Sequence, residues 1–221
     1  MLTLSGTPAA AADPAPPLAS RATNVGPANV DTIWSAYQQR WESTATYTAT
    51  FNQSIEIDGI GGAVDSGGSF YFSRPDRMRF DYTRGQEQRV VGDGNWIWVY
   101  QPDLEQVYKV DYATAFGTGG LVALLGDRQG LVERYELSLL DSPAGMVRLQ
   151  LEPKAEVGET LELVMSADTF DLRSVVMTDP AGSVTRVEFE GVHRNVELND
   201  GLFAFFPPAG VDVITAAPDG S

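Results

Sequence analysis

Residues 73–107 decide the fold of this chain. They read S-R-P-D-R-M-R-F-D-Y at 73–82 and R-V-V-G-D-G-N-W-I-W-V-Y-Q-P-D-L-E-Q-V at 89–107. Large apolar residues occur at every second position, and alternate side chains of a β-strand point to opposite faces of its sheet. The pattern therefore predicts antiparallel strands with one face covered by very large side chains, namely Met78, Phe80, Tyr82, Trp96, Trp98 and Tyr100. Such a face either packs against helices or lines a hollow that holds an apolar ligand.

The composition limits the classes of partner. The chain has 221 residues, of which 43% are hydrophobic and 20% charged, and this favours one or two globular domains with a sizeable core. No stretch approaches the roughly 18 apolar residues of a transmembrane helix. Acidic residues number 30 against 15 basic ones, which gives a formal net charge of −15. Nucleic acids and anionic lipid headgroups would repel such a chain, so we expect neither as a partner.

The residues that usually carry catalysis or bind metals are scarce. Cysteine is absent, which excludes disulfides, thiolate ligands, cysteine nucleophiles and a lipid anchor on an N-terminal cysteine. The single histidine, His193, lies in a polar stretch, and we expect it to be a surface residue. No nucleophile elbow, zinc-protease motif or phosphate-binding loop occurs. The glycine-rich residues 92–95 are explained by turn chemistry and lack the downstream acidic ligand of a calcium loop. We therefore predict no catalytic residue, no metal site and no cofactor.

The two ends differ from the rest of the chain. Residues 1–28 are rich in alanine and proline, so we expect this segment to be disordered. Its small-residue run before Asp13 is similar to the end of a secretory signal peptide, but the basic start and apolar core are missing. A signal-peptide remnant and a plain low-complexity segment both stay open. We predict a folded domain over 29–214 and a flexible tail over 215–221.

The folded part is predicted to be mainly β. Apolar residues at helical spacing predict a helix over about 29–43, capped by Asn29 or Asp31. About eleven strands follow, joined by short turns, and this succession implies a half-open antiparallel β-barrel. One strand is predicted at about 67–73, after a turn in the glycine-rich residues 58–68, and another at about 132–140. Residues 113–126 interrupt the strands, and we expect a loop and a short helix there. Two or three helices would then act as a lid over the open side, and the apolar side chains of the interrupting segment would face it: Leu121, Leu124 and Leu125.

Arg74 precedes Pro75 at a strand end beside the most aromatic strands. Most arginines lie in solvent. The alternative is that its guanidinium, with five fixed donors, hydrogen-bonds backbone carbonyls of the covering helices. Such bonds are modest, about 1–3 kcal/mol each for charged donors. A ligand could therefore compete with them, and Arg74 would act as a latch for the lid.

Four stretches of this sequence resemble the LolA family of lipoprotein carriers. They are residues 73–82 and 92–107, the F-N-Q-S at 51–54, and the F-A-F-F-P-P-A-G-V-D-V-I at 203–214. The resemblance spans roughly residues 34–214. It implies a half-open barrel under a helical lid in a monomeric, non-enzymatic periplasmic protein. It also implies lipoprotein acyl chains as cargo, an inner-membrane LolCDE-type transporter as donor and a LolB-type outer-membrane receptor as acceptor.

The resemblance also implies roles for individual residues. Arg74 falls on the lid-holding arginine of the family, and Met78 and Phe80 fall on its large apolar cavity positions. We accordingly predict a cavity for lipid lined by Phe51, Met78, Phe80, Tyr82, Trp96, Trp98, Tyr100, Leu121, Leu124 and Leu125. The lack of cysteine favours the free carrier over the lipid-anchored receptor, which has the same fold.

Two alternatives stay open from the residues. One is a LolA-like carrier or sensor of another lipid, such as a glycolipid. The other is a sugar-binding sheet protein, in which Trp96, Trp98 and Tyr100 would stack on sugar rings.

Overall fold

The computed structural model describes residues 29–59, 61–112 and 128–215. The predicted disordered segment at 1–28, the loop and short helix predicted at 113–126, and the tail beyond residue 215 lie outside these described residues. The same holds for Leu121, Leu124 and Leu125, three of the residues that we predicted to line the cavity.

The described residues form twelve strands and two α-helices. The helices are α1 (Val30–Glu42) and α2 (Arg128–Arg134), and short 3₁₀ turns occupy Pro102–Leu104 and Asp200–Phe203. The strands are β1 (Thr46–Glu56), β2 (Ala63–Ser73), β3 (Arg77–Arg84), β4 (Gln88–Asp93), β5 (Trp96–Gln101), β6 (Gln106–Asp111), β7 (Tyr135–Leu140), β8 (Met146–Pro153), β9 (Thr160–Ser166), β10 (Leu172–Thr178), β11 (Val184–Arg194) and β12 (Asp212–Thr215). None of the described helices is both long and apolar enough to cross a bilayer.

The helix α1 begins where the sequence predicts. The Asn29 side chain accepts a hydrogen bond from the backbone N–H of Asp31 at 2.9 Å, so Asn29 is the N-cap. The apolar positions follow a 3.6-residue period and place one stripe in the core: Ile33, Trp34, Tyr37 and Trp41. The opposite side of the helix is polar and faces solvent.

All twelve strands belong to one open sheet, in the order β12-β6-β5-β4-β3-β2-β1-β11-β10-β9-β8-β7. The prediction of a mainly β, half-open barrel is confirmed, because β7 and β12 form the two ends of the order and do not pair with each other. Every neighbouring pair is antiparallel except the first, β12 and β6. β12 runs parallel to β6, with Asp212 opposite Gln106. A long connection from β11 brings the chain back to this edge. The expectation of antiparallel neighbours joined by short turns therefore does not hold for β12.

Two strands begin at residues clearly different from those predicted. Residues 132–134, predicted as the start of a strand, are the last residues of α2, and β7 begins at Tyr135. β2 begins at Ala63, whereas a start near residue 67 was predicted, because its pairing with β1 extends to Glu56 opposite Ala63. The glycine-rich stretch thus provides both a turn and the first residues of a strand. Gly59 and Gly62 in this turn have positive φ, which favours glycine.

Candidate functional site: the apolar inner face

One face of the sheet carries most of the core, and we call it the inner face. It is defined by Phe51, Phe70, Met78 and Phe80, whose strands pair in a register that directs these side chains to the same side. Helix α1 packs on this face: the ring of Trp41 lies 4.8 Å from that of Phe72 and 5.8 Å from that of Tyr47. The same helix also contacts β7 at the sheet edge. It therefore extends from the middle strands of the sheet to its last strand.

Four of the residues predicted to line a cavity meet on the inner face. Phe51 lies edge-on to Phe80 at 5.3 Å and to Tyr82 at 4.9 Å between ring centroids. Phe51 and Met78 are each only 1% exposed. Burial raises the pKa of Tyr82 to about 12, and its hydroxyl donates to Gln53 Oε1 at 2.8 Å. At this end of the cluster the face thus changes from apolar to polar.

The inner face continues far beyond the predicted residues. Phe70 stacks near Phe80 at 4.5 Å and lies 5.6 Å from Phe189 of β11. Further along the sheet the face is aliphatic, with Val175, Leu163, Leu161, Leu149 and Leu151 buried on successive strands. Sequence reasoning omitted Phe70 and Phe189 from the site. Their signal was present, because each occupies an alternating position of a strand. Only the strand order, in which β2 lies beside β3 and β11 lies beside β1, shows that both residues share this face.

Trp96, Trp98 and Tyr100 do not line this face, and the prediction that they share it with Met78 and Phe80 is wrong. Their intervening neighbours Ile97 and Val99 face inward. The prediction assumed that the largest side chains of a strand point to the core. Register decides instead: Ile97 and Val99 pair with Gly92 and Val90 of β4, whereas the three large rings share the opposite, outer face.

The outer face has its own cover, which explains its large aromatic residues. The turn Asp200–Phe203 and the segment after it lie over β3 to β5. Arg79 Nη1 donates to the Leu202 carbonyl at 2.9 Å, and the Phe205 ring lies 5.6 Å from Trp98 and 5.9 Å from Tyr100. The ammonium of Lys109 is 3.7 Å from the centroid of the Trp96 ring. These rings therefore pack against the chain itself.

Asp93, in the tight turn between β4 and β5, uses both carboxylate oxygens within the protein. Oδ1 accepts from the backbone N–H groups of Asn95 and Trp96, and Oδ2 accepts from Trp98 Nε1, all at 2.8 Å. Burial acts to raise the pKa of Asp93, but these hydrogen bonds outweigh it and lower the pKa below its usual value. Turn chemistry accounts for this stretch. Among the described residues, no group of three acidic, histidine or cysteine side chains is placed to hold a metal, and His193 is exposed.

The side chain of Arg74, in the turn between β2 and β3, reaches the C-terminal end of α1. Its Nε donates to the Thr44 carbonyl at 2.8 Å and its Nη2 donates to the Trp41 carbonyl at 2.5 Å. The last carbonyls of a helix lack partners within it and carry the negative end of the helix dipole, so a guanidinium is well matched to them. The side chain thus connects the turn between β2 and β3 to the end of the helix that covers the inner face.

A second group of side chains holds the same helix end from the other side. Arg40 Nε donates to Asp171 Oδ1 at 3.0 Å, and Arg194 Nη2 donates to that same oxygen. Asn195 accepts from the Ala45 N–H at 2.7 Å and donates to the Ser43 carbonyl at 3.2 Å. Sequence reasoning named none of these residues as functional, since the partners of this helix end, Asp171 and Asn195, lie about 130 to 150 positions away along the chain.

The fold and the site define a class: a half-open β-barrel whose apolar face is covered by a helix. Residues 42–206 match the family model described as outer membrane lipoprotein carrier protein LolA. The chain belongs to this LolA family.

Named relatives cover most of the chain. The outer-membrane lipoprotein carrier protein of Methylococcus capsulatus (strain Bath) is 34% identical over 173 residues, which are 78% of this chain and 82% of that protein. The protein of the same name from Leptothrix cholodnii is 34% identical over 190 residues, 86% of this chain and 88% of the relative. An uncharacterised conserved protein from Thermus thermophilus shares the fold, with a TM-score of 0.53 at 12% identity, over 84% of this chain and 98% of that one.

Proposed function

We propose that this protein is a carrier that binds the acyl chains of lipoproteins against its inner face and moves them between membranes. The continuous apolar face beneath α1, in a chain of the LolA family, supports this function. The proposal includes a periplasmic location, a monomeric state and no enzymatic activity. It also includes a LolCDE-type transporter as donor and a LolB-type receptor as acceptor.

The energetics favour binding by partition rather than by chemistry. Moving one methylene from water to an apolar surface gains about 0.8 kcal/mol, so a 16-carbon chain gains roughly 12 kcal/mol if it is fully buried. The hydrogen bonds that Arg74 donates at the end of α1 are worth about 1–3 kcal/mol each. The gain on cargo binding is smaller than the transfer value, because the inner-face side chains are already buried and cargo must displace what covers them. Acyl chains and the buried stripe of α1 therefore compete for the same apolar surface.

The proposed roles of the individual residues follow from this balance. Phe51, Met78, Phe80 and Tyr82 contact the acyl chains, and Arg74 is the latch that holds α1 over them when no cargo is bound. Met78 is unbranched and adaptable, which suits a surface that must accept chains of different length. Leu121, Leu124 and Leu125 stay in the proposal as lining residues on the sequence pattern alone.

The charge of the protein suits a carrier that must leave the membrane. A net charge of −15 is repelled by anionic headgroups, so cargo rather than the membrane surface determines where the protein stays. Sugar binding by Trp96, Trp98 and Tyr100 is disfavoured, because Lys109 and Phe205 already occupy faces of these rings.

A release assay tests the function. Vesicles that contain the transporter and a radiolabelled lipoprotein are incubated with the purified protein and ATP, and label is counted in the supernatant after sedimentation. We expect release that depends on both the protein and ATP, with omission of either as the control. Label that stays with the vesicles under all conditions would contradict the proposal. Native mass spectrometry of the protein isolated from its host distinguishes a lipoprotein carrier from a carrier of another lipid, because a lipoprotein and a glycolipid differ in mass.

A further inference from the structure

We infer that Asp171, held by Arg194 and bonded to Arg40, is a second positioning site for α1, which acts together with Arg74 to keep the helix over the inner face. This inference rests on the proposed carrier function. It assigns to the turn between β9 and β10 a role in lid closure that the sequence pattern does not show.

Asp171 is suited to be the fixed half of this contact. It directly precedes β10, and its carboxylate is bonded to Arg194 at the end of β11, so both groups belong to the sheet. The Arg194 side chain is only 11% exposed, and its Nε and Nη1 have no hydrogen-bond partner within the described part of the chain. Asp171 is therefore the carboxylate that balances a nearly buried guanidinium, which fixes the Asp171 side chain in place. Burial acts to raise the pKa of Asp171, but the hydrogen bonds and charges of Arg194 and Arg40 outweigh it and keep the carboxylate ionised.

Arg40 is suited to be the movable half. It lies in the last turn of α1, and its side chain is 42% exposed. An ion pair with a solvent-exposed partner is weak and can be broken and remade at small cost. If α1 moves away, Arg40 becomes hydrated, whereas Asp171 keeps Arg194 as its partner. Opening of the lid therefore leaves no unpaired buried charge in the sheet.

The two attachments differ in direction and so define the position of the helix end. Arg74 approaches from the turn between β2 and β3 and binds the carbonyls of Trp41 and Thr44. Asp171 approaches from the opposite side of β1, through β10 and β11, and binds a side chain. Either attachment alone holds the helix end from one side only. Two attachments on opposite sides of β1 restrict the helix to a closed position over the inner face.

Spin-label distances measure this restriction directly, because the chain contains no cysteine that would compete for the label. Labels are attached through Ser35→Cys on the exposed side of α1 and Glu190→Cys on β11. Arg40→Gln is then compared with the parent in the same labelled background. We expect Arg40→Gln to increase the population with the longer distance about two- to fivefold, the effect of removing one exposed ion pair.

Arg148→Gln provides the matched control. Arg148 forms a similar ion pair with Glu162, at 2.8 Å and 35% side-chain exposure, but that pair joins β8 to β9 and does not involve α1. We expect the distance distribution of Arg148→Gln to equal that of the parent. Equal distributions for Arg40→Gln and the parent would overturn the inference.

A dipalmitoylated lipopeptide added to the same samples separates this inference from the proposed function. We expect the lipopeptide to shift the parent to the longer distance, and to do so at about two- to fivefold lower concentration for Arg40→Gln. A parent that binds no lipopeptide would contradict the carrier function, while the comparison without lipopeptide would still decide whether Arg40 positions α1. Asp171→Asn adds a second test, with a larger expected opening because Arg194 also loses its partner.

Discussion

At the scale of single residues, Arg74 links two events that a carrier must couple, namely closure of the helix and release of cargo. Its guanidinium bonds stabilise the state in which α1 lies over the inner face. Release ends in that closed, empty state, so any loss of the closed state makes release less favourable. The same side chain that opposes cargo entry therefore favours cargo delivery.

Arg74→Leu tests this coupling. The variant loses the bonds to the Trp41 and Thr44 carbonyls at the end of α1. We expect it to retain cargo, with delivery to the acceptor reduced by roughly tenfold or more if about 1.5 kcal/mol of closure is lost. The measurement is the fraction of radiolabelled lipoprotein transferred to membranes that carry the receptor. Arg84→Leu is the control, because Arg84 also donates to a carbonyl, that of Ser66, but lies away from α1. Unchanged transfer by Arg74→Leu would remove Arg74 from the mechanism.

At the scale of elements, the two faces of β5 have separate tasks. Ile97 and Val99 belong to the inner face, whereas Trp98 and Tyr100 hold the segment that follows Asp200–Phe203. That segment passes over the outer face and leads to β12, which is the edge strand beside β6. We therefore assign the large rings of β5 to stability and the smaller side chains to the proposed binding face.

Phe205→Ala tests this assignment. The variant removes the ring that packs on Trp98 and Tyr100, and we expect the free energy of unfolding to fall by about 1–3 kcal/mol with no change in lipopeptide affinity. Urea unfolding and a lipopeptide titration give the two quantities. Phe206→Ala is the control: its side chain is 84% exposed, so we expect a change within about 0.5 kcal/mol. A loss of lipopeptide affinity at unchanged stability would place Phe205 in the binding site instead.

The same strand shows how much could be predicted from the sequence. Alternation predicts that β5 is a strand and that its odd and even positions face opposite ways. It does not state which set faces inward, because that depends on register with β4 and on a cover supplied about 100 residues later. Met78 and Phe80 alternate with the charged Arg77 and Arg79, so in β3 the pattern itself indicates which set faces the core. Where both sets are apolar, as in β5, size is a poor guide.

Contacts between residues far apart in the sequence are the other feature that local sequence patterns do not predict. The stripe of α1 and its N-cap Asn29 are local signals, and the structure agrees with them. The contact of Arg40 with Asp171 joins residues 131 positions apart, and nothing in either local sequence indicates it. Only the strand order, in which β10 lies two places from β1, brings the two together.

At the scale of the whole molecule, the open sheet combines an apolar inner face with a strongly acidic net charge. A closed barrel has an interior whose width is fixed by its number of strands. An open one can exchange its cover for acyl chains, because one helix extends across from the middle strands to the edge strand β7. Binding of apolar cargo and repulsion from anionic membranes are thus properties of different surfaces of one domain.

The most direct test of this account is photolabelling with a lipopeptide that carries a diazirine in its acyl chain. After irradiation, tandem mass spectrometry locates the labelled residues. We expect label on the inner face, at Phe51, Met78 and Phe80. Label concentrated on the outer face, at Trp98, Tyr100 and Phe205, would contradict the claim that acyl chains bind beneath α1.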